Sequence, residues 1–259
     1  MKIVVCVKQT VDTAAEIAVE QGVISWGDTP LVLNPWDEFA VEEGLRLREA
    51  HGGSVTALTV GAESAQDALR SALAMGADNA VRISDSGLEF ADSLVISTVL
   101  AAAIHKLDEV DLVLFGREAV DSNAGVLSAQ VARRLGWPSL ALTAAIPVLT
   151  PADKSIEVER MLDRGRQRVR SSLPAVISVV KEINEPRYAS FMGIRKASRV
   201  EIPIWSLADL GVDSVQPGVA WLEMSAAPQS DVACEFIEAV DEAAAAQTLV
   251  ARLREEKVI

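Results

Sequence analysis

Short apolar runs alternate along the chain with stretches in which apolar residues recur every three or four positions. That is the pattern of strands alternating with helices. Residues 2–7, 54–60, 79–83, 112–115 and 173–180 read as core strands. Four to eight consecutive apolar or β-branched residues suit parallel strands covered on both faces. Helical periodicity predicts helices over 35–51, 65–75, 91–107 and from about Gly125 to Leu135. Asn34-Pro35 opens the first of these, with Asp37 and Glu38 in its first turn and Gly52-Gly53 at its end. Phe39, Val41, Leu45 and Leu47 supply its apolar side, and Glu42-Glu43 are expected on its solvated face. Residues 17–33 read as a hairpin-like excursion. Alternating segments 156–162 and 166–172 flank Asp163-Arg164-Gly165, an antiparallel hairpin signal. The order predicts an α/β fold: a mostly parallel, doubly wound, Rossmann-like sheet in a three-layer sandwich, with a mixed edge. From residue 184 the character changes. A loop and basic helix over 190–199 and a helical turn over 206–211 precede residues 214–235, which have no sustained period. A strong helix former, DEAAAAQTLVARLREEK, then occupies 241–257. The expected organisation is an α/β domain over 1–183 and, over 184–259, an arm that wraps a partner because it cannot bury itself.

Composition narrows the function. No apolar run among the 259 residues approaches the roughly 18 needed to span a bilayer. Met1 leads directly into the first strand, so the chain is expected to act where it is made, without membrane insertion. A net charge of −13 argues against nucleic acid as a partner. Cys6, Cys234, His51 and His105 are isolated, giving a metal site or a histidine-based triad little to build on. Three loops are expected at the carboxyl ends of neighbouring strands: 8–12, 60–64 and 116–128, with the turn Asn34-Pro35-Trp36 beside them. Ligands of open α/β sheets bind in that place. In the third loop Ala124, Gly125 and Ser128 would let a phosphate approach the backbone at a helix N-terminus. The spaced glycines of Walker A and dinucleotide-binding loops are missing, and no nucleophile–base pair is recognisable. The residues alone describe a nucleotide-binding α/β subunit with a partner-gripping tail.

Several stretches, in order, then resemble one family, the β subunit of electron-transfer flavoprotein. They are VVCVKQTVDT at the N-terminus, LNPWDEFAVEEGLRLRE, SALAMGADNAVRI, LPAVISV (173–179), INEPRYASFMGIRKASR (183–199) and DLGVD (209–213). The resemblance spans essentially the whole chain and implies an adenine-nucleotide α-hydrolase-like fold. It also implies a heterodimer with an α subunit that holds most of an FAD. Such a carrier takes electrons from dehydrogenases, often acyl-CoA dehydrogenases of fatty acid oxidation, and delivers them to a quinone oxidoreductase. It would work in a bacterial cytoplasm, its redox chemistry residing on the flavin and no catalytic residue on this chain. The β subunit of the family binds AMP or, in electron-bifurcating members, a second FAD. Carried over by position, that site would use the Cys6 backbone, Asn34, Pro35, Trp36, Asp37, Val60, Gly116, Arg117, Val120, Asp121, Ser122, Asn123, Ala124, Gly125, Val126 and Leu127. The edge facing the flavin would lie near Thr13 and Trp36. The partner-recognition loop would place Arg187, Tyr188, Phe191, Met192, Ile194, Arg195 and Lys196 at the surface, with Phe191 as a hydrophobic anchor beside basic residues.

The chain also departs from that family. Gly125-Val126-Leu127 stand where AMP-binding members carry Asn-Gln-Thr, and Val126 where bifurcating members commonly have Gln. Thr13 replaces an aromatic near the flavin. The hairpin, usually acidic and glycine-rich, holds Arg160, Arg164, Arg166, Arg168 and Arg170, which suit either a solvated hairpin or docking on an acidic partner. Two other readings stay open on the residues alone: a free-standing adenine-nucleotide sensor of stress-response type, and a ligase or hydrolase of related fold.

Overall fold

The computed structural model describes residues 1–20, 22–88, 91–213, 215–219, 222–223, 225–226, 234 and 236–259. In chain order its elements are β1 (Lys2–Cys6), β2 (Gln9–Val11), β3 (Ala18–Glu20), β4 (Val23–Ser25), β5 (Leu31–Leu33), α1 (Pro35–His51), β6 (Ser54–Val60), α2 (Gln66–Met75), β7 (Asn79–Ile83), α3 (Ser93–Leu107), β8 (Leu112–Phe115) and α4 (Leu127–Leu135). They continue with β9 (Ser139–Thr150), β10 (Ser155–Leu162), β11 (Gly165–Ser172), β12 (Ala175–Val179), α5 (Phe191–Ala197), β13 (Ile204–Trp205) and α6 (Glu242–Glu255).

Among the described residues one nine-stranded sheet runs in the order β11-β10-β9-β12-β8-β1-β6-β7-β13. It is parallel from β9 to β13, and β10 and β11 add antiparallel pairings at one end. Alternation along the strands divides the core into two faces. Ile3, Val5, Leu112 and Leu114 pack under α1 and α2, whereas Val4, Cys6, Val113 and Phe115 pack under α3 and α4. Covered on both sides, the strands need no polar face, hence their unbroken apolar runs. Gly44 lets α1 lie close on the sheet: a Cβ there would meet Val5 at 3.0 Å and Leu114 at 3.4 Å.

The excursion before α1 is two ribbons, β3 with β4 and β2 with β5. Two strands have no counterpart in the sequence pattern. β9 carries Pro147 and a left-handed Leu142 (φ 58°), which interrupt its alternation. β13 is only two residues long. The Glu42-Glu43 pair also differs from expectation. It is buried, at 5% and 7% exposure, because residues 184–187 cover that side of α1.

The chain divides into two compact units, Met1–Met224 and Ser225–Ile259. Residues 184–213, expected in the arm, contribute Ala197, Ile202 and Leu207 to the core of the first unit. Most of the aperiodic stretch 214–235 lies outside the described residues. In the second unit α6 is capped by Asp241, whose carboxylate accepts from Ala244 N at 2.7 Å, and none of its residues is buried. No described helix is long and apolar enough to cross a membrane.

Candidate functional site

The winding of the sheet changes direction at β1 and β8. From β1 the chain crosses through α1 to β6 on one side, and from β8 it crosses through α4 to β9 on the other. Adjacent strands whose connections diverge leave a crevice beyond their carboxyl ends. Lys8 and Gly116 stand at its two lips, and Asp37 spans it. Asp37 Oδ2 accepts from Lys8 N at 2.8 Å and Oδ1 accepts from Gly116 N at 3.2 Å. Burial pushes the Asp37 carboxyl up to about 7, against the lowering pull of those N–H groups, Asn34 and the Lys8 cation. The same burial, with the Asp37 charge second, pushes the Cys6 thiol well up, so it is no nucleophile. No side chain fits at residue 116. A Cβ there would lie 2.5 Å from Asp37 Oδ1 and 2.6 Å from the Trp36 carbonyl carbon.

Asn34 organises the loop that follows β8. Its position as N-cap of α1 suggests a side-chain cap, yet it makes none. Instead Nδ2 donates to Glu118 O at 2.9 Å, and Oδ1 accepts from Val120 N at 3.1 Å. Fully buried, it clamps residues 118–120 onto the start of α1. Lys8 Nζ closes the loop from the other side on Asp121, at 2.6 and 2.7 Å to the two oxygens. Arg117 lies 5.5 Å over the Trp36 ring. Past Asp121 the loop is open: Ser122, Asn123, Ala124, Gly125 and Val126 are all exposed. Asn123 and Gly125 turn the backbone through positive φ (47° and 61°). α4 then starts with no side-chain cap, leaving its first N–H groups and positive dipole end at the loop.

The structure thus brings together Asn34, Pro35, Trp36, Asp37 and the 116–127 loop, with Cys6 at the end of β1 and Val60 one strand away at the end of β6. Thr13 stands apart, exposed in the turn formed by Asp12 through its bonds to Ala14 N and Ala15 N. The residues fit an adenine nucleotide: a glycine where backbone must approach, an aromatic face, and uncapped N–H groups where a phosphate would sit. The buried Thr10 hydroxyl, two residues beyond Lys8, lacks any partner among the described residues. The sequence placed it in the 8–12 loop expected at the site but gave it no role of its own; its burial comes from the pairing of β2 with β5. No group of three or more potential metal ligands occurs among the described residues.

A second site lies over α1 and α2. Tyr188 (98% exposed), Phe191 (79%), Met192 (69%) and Ile194 (53%) project into solvent, and Arg195, Lys196 and Arg199 line a shallow pocket with Met192 and Val200. Arg187 is not part of that free surface. It donates to Glu42 Oε2 (2.7 Å) and Oε1 (3.0 Å) and to both Glu49 oxygens (2.6 and 3.1 Å). The paired guanidinium holds the Glu49 carboxyl below its usual range, and the two carboxylates raise Arg187 further. Asn184 adds bonds to Phe39 O and Glu43 Oε2, both at 3.0 Å. Farther along, Arg70 donates to Ala197 O at 2.7 Å. Gly193 lies so close on the Ala74 carbonyl of α2 that a Cβ would overlap it. Arg187 is therefore a strut, and α5 a ledge seated on α2.

In the hairpin, Arg160 Nε braces the irregular part of β9 through Ala141 O (2.7 Å). Arg166 and Arg168 pair with Glu157 and Glu159, leaving Arg164 and Arg170 outside these pairs.

Residues 22–210 match the model of the electron transfer flavoprotein domain. Protein FixA of Azorhizobium caulinodans is 38% identical, covering 83% of this chain and 78% of its own. Electron transfer flavoprotein subunit beta of Bacillus subtilis is 35% identical with both chains fully covered. The caffeyl-CoA reductase-Etf complex subunit CarD of Acetobacterium woodii is 34% identical, again over the whole of both. With three quarters of its length in the domain and such relatives end to end, the chain belongs to the electron transfer flavoprotein family, on its beta-subunit and FixA side.

Proposed function

We propose that the chain is the β subunit of a heterodimeric electron-transfer flavoprotein. It binds AMP, or a second FAD, in the β1–β8 crevice and helps an α subunit hold the FAD. The complex carries electrons from dehydrogenases such as acyl-CoA dehydrogenases to a quinone oxidoreductase. The observation that carries this reading is the α5 ledge, where three bulky apolar side chains stand exposed between basic ones on a segment fixed by ion pairs. An enzyme has little use for such a surface, whereas a carrier must dock and release its donor.

Bound flavin supplies the one-electron chemistry, and this chain's residues position and bind. Asn34 and the Lys8–Asp121 pair hold the loop shut below residue 121. Phosphate oxygens would meet backbone N–H groups from Gly125 onward rather than side chains, since Val126 and Leu127 offer none. The second unit, with Phe236, Val240, Leu249 and Val250 exposed, has the surface of an arm that completes itself on another subunit.

Co-expression with the neighbouring gene products tests the reading. A yellow 1:1 complex with one FAD and one AMP marks a simple carrier, and two FAD mark a bifurcating one. A colourless, nucleotide-hydrolysing homodimer rejects the proposal.

A further inference from the structure

Besides the phosphate position at α4, we infer that Arg82 and the uncapped turn leading into α2 form a second anion site for a phosphate or carboxylate group. Arg82 lies next to the carboxyl end of β7, paired in register with Thr59 of β6 and Ile204 of β13. It is 6% exposed. Among the described residues its side chain makes a single long hydrogen bond, Nη1 to Gly61 O at 3.4 Å, and its buried Nε has no partner. No carboxylate among the described residues forms an ion pair with it, and Glu63, in the adjoining turn, is exposed. A permanently charged guanidinium held this far from water without a counter-charge is costly, unlike the paired arginines of the hairpin.

The hydrogen bond places the guanidinium against the loop that leads into α2. There the turn Glu63–Ala65 begins with no side-chain cap and runs straight into α2, whose first residue, Gln66, already donates its N–H to Glu63 O and Ser64 O, so the open end is the start of the turn. A buried arginine without a counter-charge and the open start of the turn thus meet at Gly61–Ala65. The guanidinium hangs from β7, three strand spacings, about 14 Å, from β8, whose loop leads into α4, although the loop it touches directly follows Val60 of the crevice. That separation makes this a second site rather than part of the phosphate position at α4. The anion is either a free one or a distal group of a ligand that also enters the crevice.

The test is titration of the full-length protein, in the complex if it co-purifies, with inorganic phosphate, pyrophosphate and AMP, read by calorimetry and thermal shift. Wild type should bind phosphate or pyrophosphate saturably. Arg82→Gln should weaken that binding roughly tenfold to hundredfold. Asn34→Ala should weaken AMP and any inorganic anion held at the start of α4, while the share of phosphate binding that Arg82→Gln removes persists in it. Loss of AMP affinity in Arg82→Gln as well would assign the anion to a group of the crevice ligand. Arg82→Met, which removes the charge while keeping volume, should melt no lower than wild type without anion and lose the anion-induced rise. Phosphate affinity unchanged by Arg82→Gln, or no saturable binding in wild type, overturns the inference.

Discussion

A carboxyl that titrates near neutrality while bridging two strands makes Asp37 a source of pH dependence. Its native value of about 7 lies above the 3.8 of an unfolded aspartate, so between those limits the native state holds a proton that the unfolded state has released. Stability from this group is therefore full below pH 4 and declines as pH rises to 7, by at most about 1.4 kcal/mol per pH unit. Denaturant titrations should find that slope in wild type and its loss in Asp37→Asn; equal slopes would place the proton elsewhere. Gly116→Ala is the steric counterpart. A methyl group 2.5 Å from Asp37 Oδ1 must push the loop off the start of α1. Nucleotide content of the purified protein should fall severalfold, and stability by about 1 to 3 kcal/mol. Arg187→Ala strands Glu42, whose side chain is 6% exposed. The loss should be about 2 to 3 kcal/mol, mostly recovered when Glu42→Gln is combined with it, since the pair acts as a unit.

At the scale of elements, the docking ledge is judged by separating adhesion from cofactor retention. Phe191→Ala should slow reduction by the donor dehydrogenase through a raised KM while flavin content stays at its wild-type level. Equal loss of flavin would move Phe191 from the docking surface to the subunit interface. The elements themselves were largely readable because buried parallel strands announce themselves as apolar runs, as Leu112–Phe115 does. Positions set by tertiary contact were not. Glu42 and Glu43 sit where helical periodicity assigns a wet face, and only a segment some 140 residues later in the chain covers them. Asn34 carries the signature of a helix cap, but the loop after β8 recruits its amide, a competition invisible along one stretch of sequence. β9 escaped notice because Leu142 and Pro147 break its period, and its irregular segment is held by Arg160 from the neighbouring strand.

Considered as a whole molecule, the chain has one unit with a core on each face of its sheet and another with no buried residue among those described. A 14-residue helix without buried residues is marginal alone in water. A chain ending at residue 224 should thus keep a melting temperature within a few degrees of the full-length protein, while losing the ability to retain an α subunit on an affinity column. Substantial unfolding on truncation would mean that the arm completes this chain's own core. The crevice and the ledge of the first unit share one rigid element. α1 carries Asn34, Trp36 and Asp37 at its start and Glu42, Glu43 and Glu49 farther along, so the crevice and the footing of Arg187 lie on a single helix.

The Arg187 strut also bears on exchange of parts between relatives. Residues 188–199 look like a cassette that could be transplanted to redirect donor choice, but the cassette's footing lies outside it. A chimaera that imports only the loop would seat it on foreign acids and a foreign groove at Ala74. Swaps that carry residues 184–199 together with the acids of α1 should retain the donor preference of their source, and loop-only swaps should not.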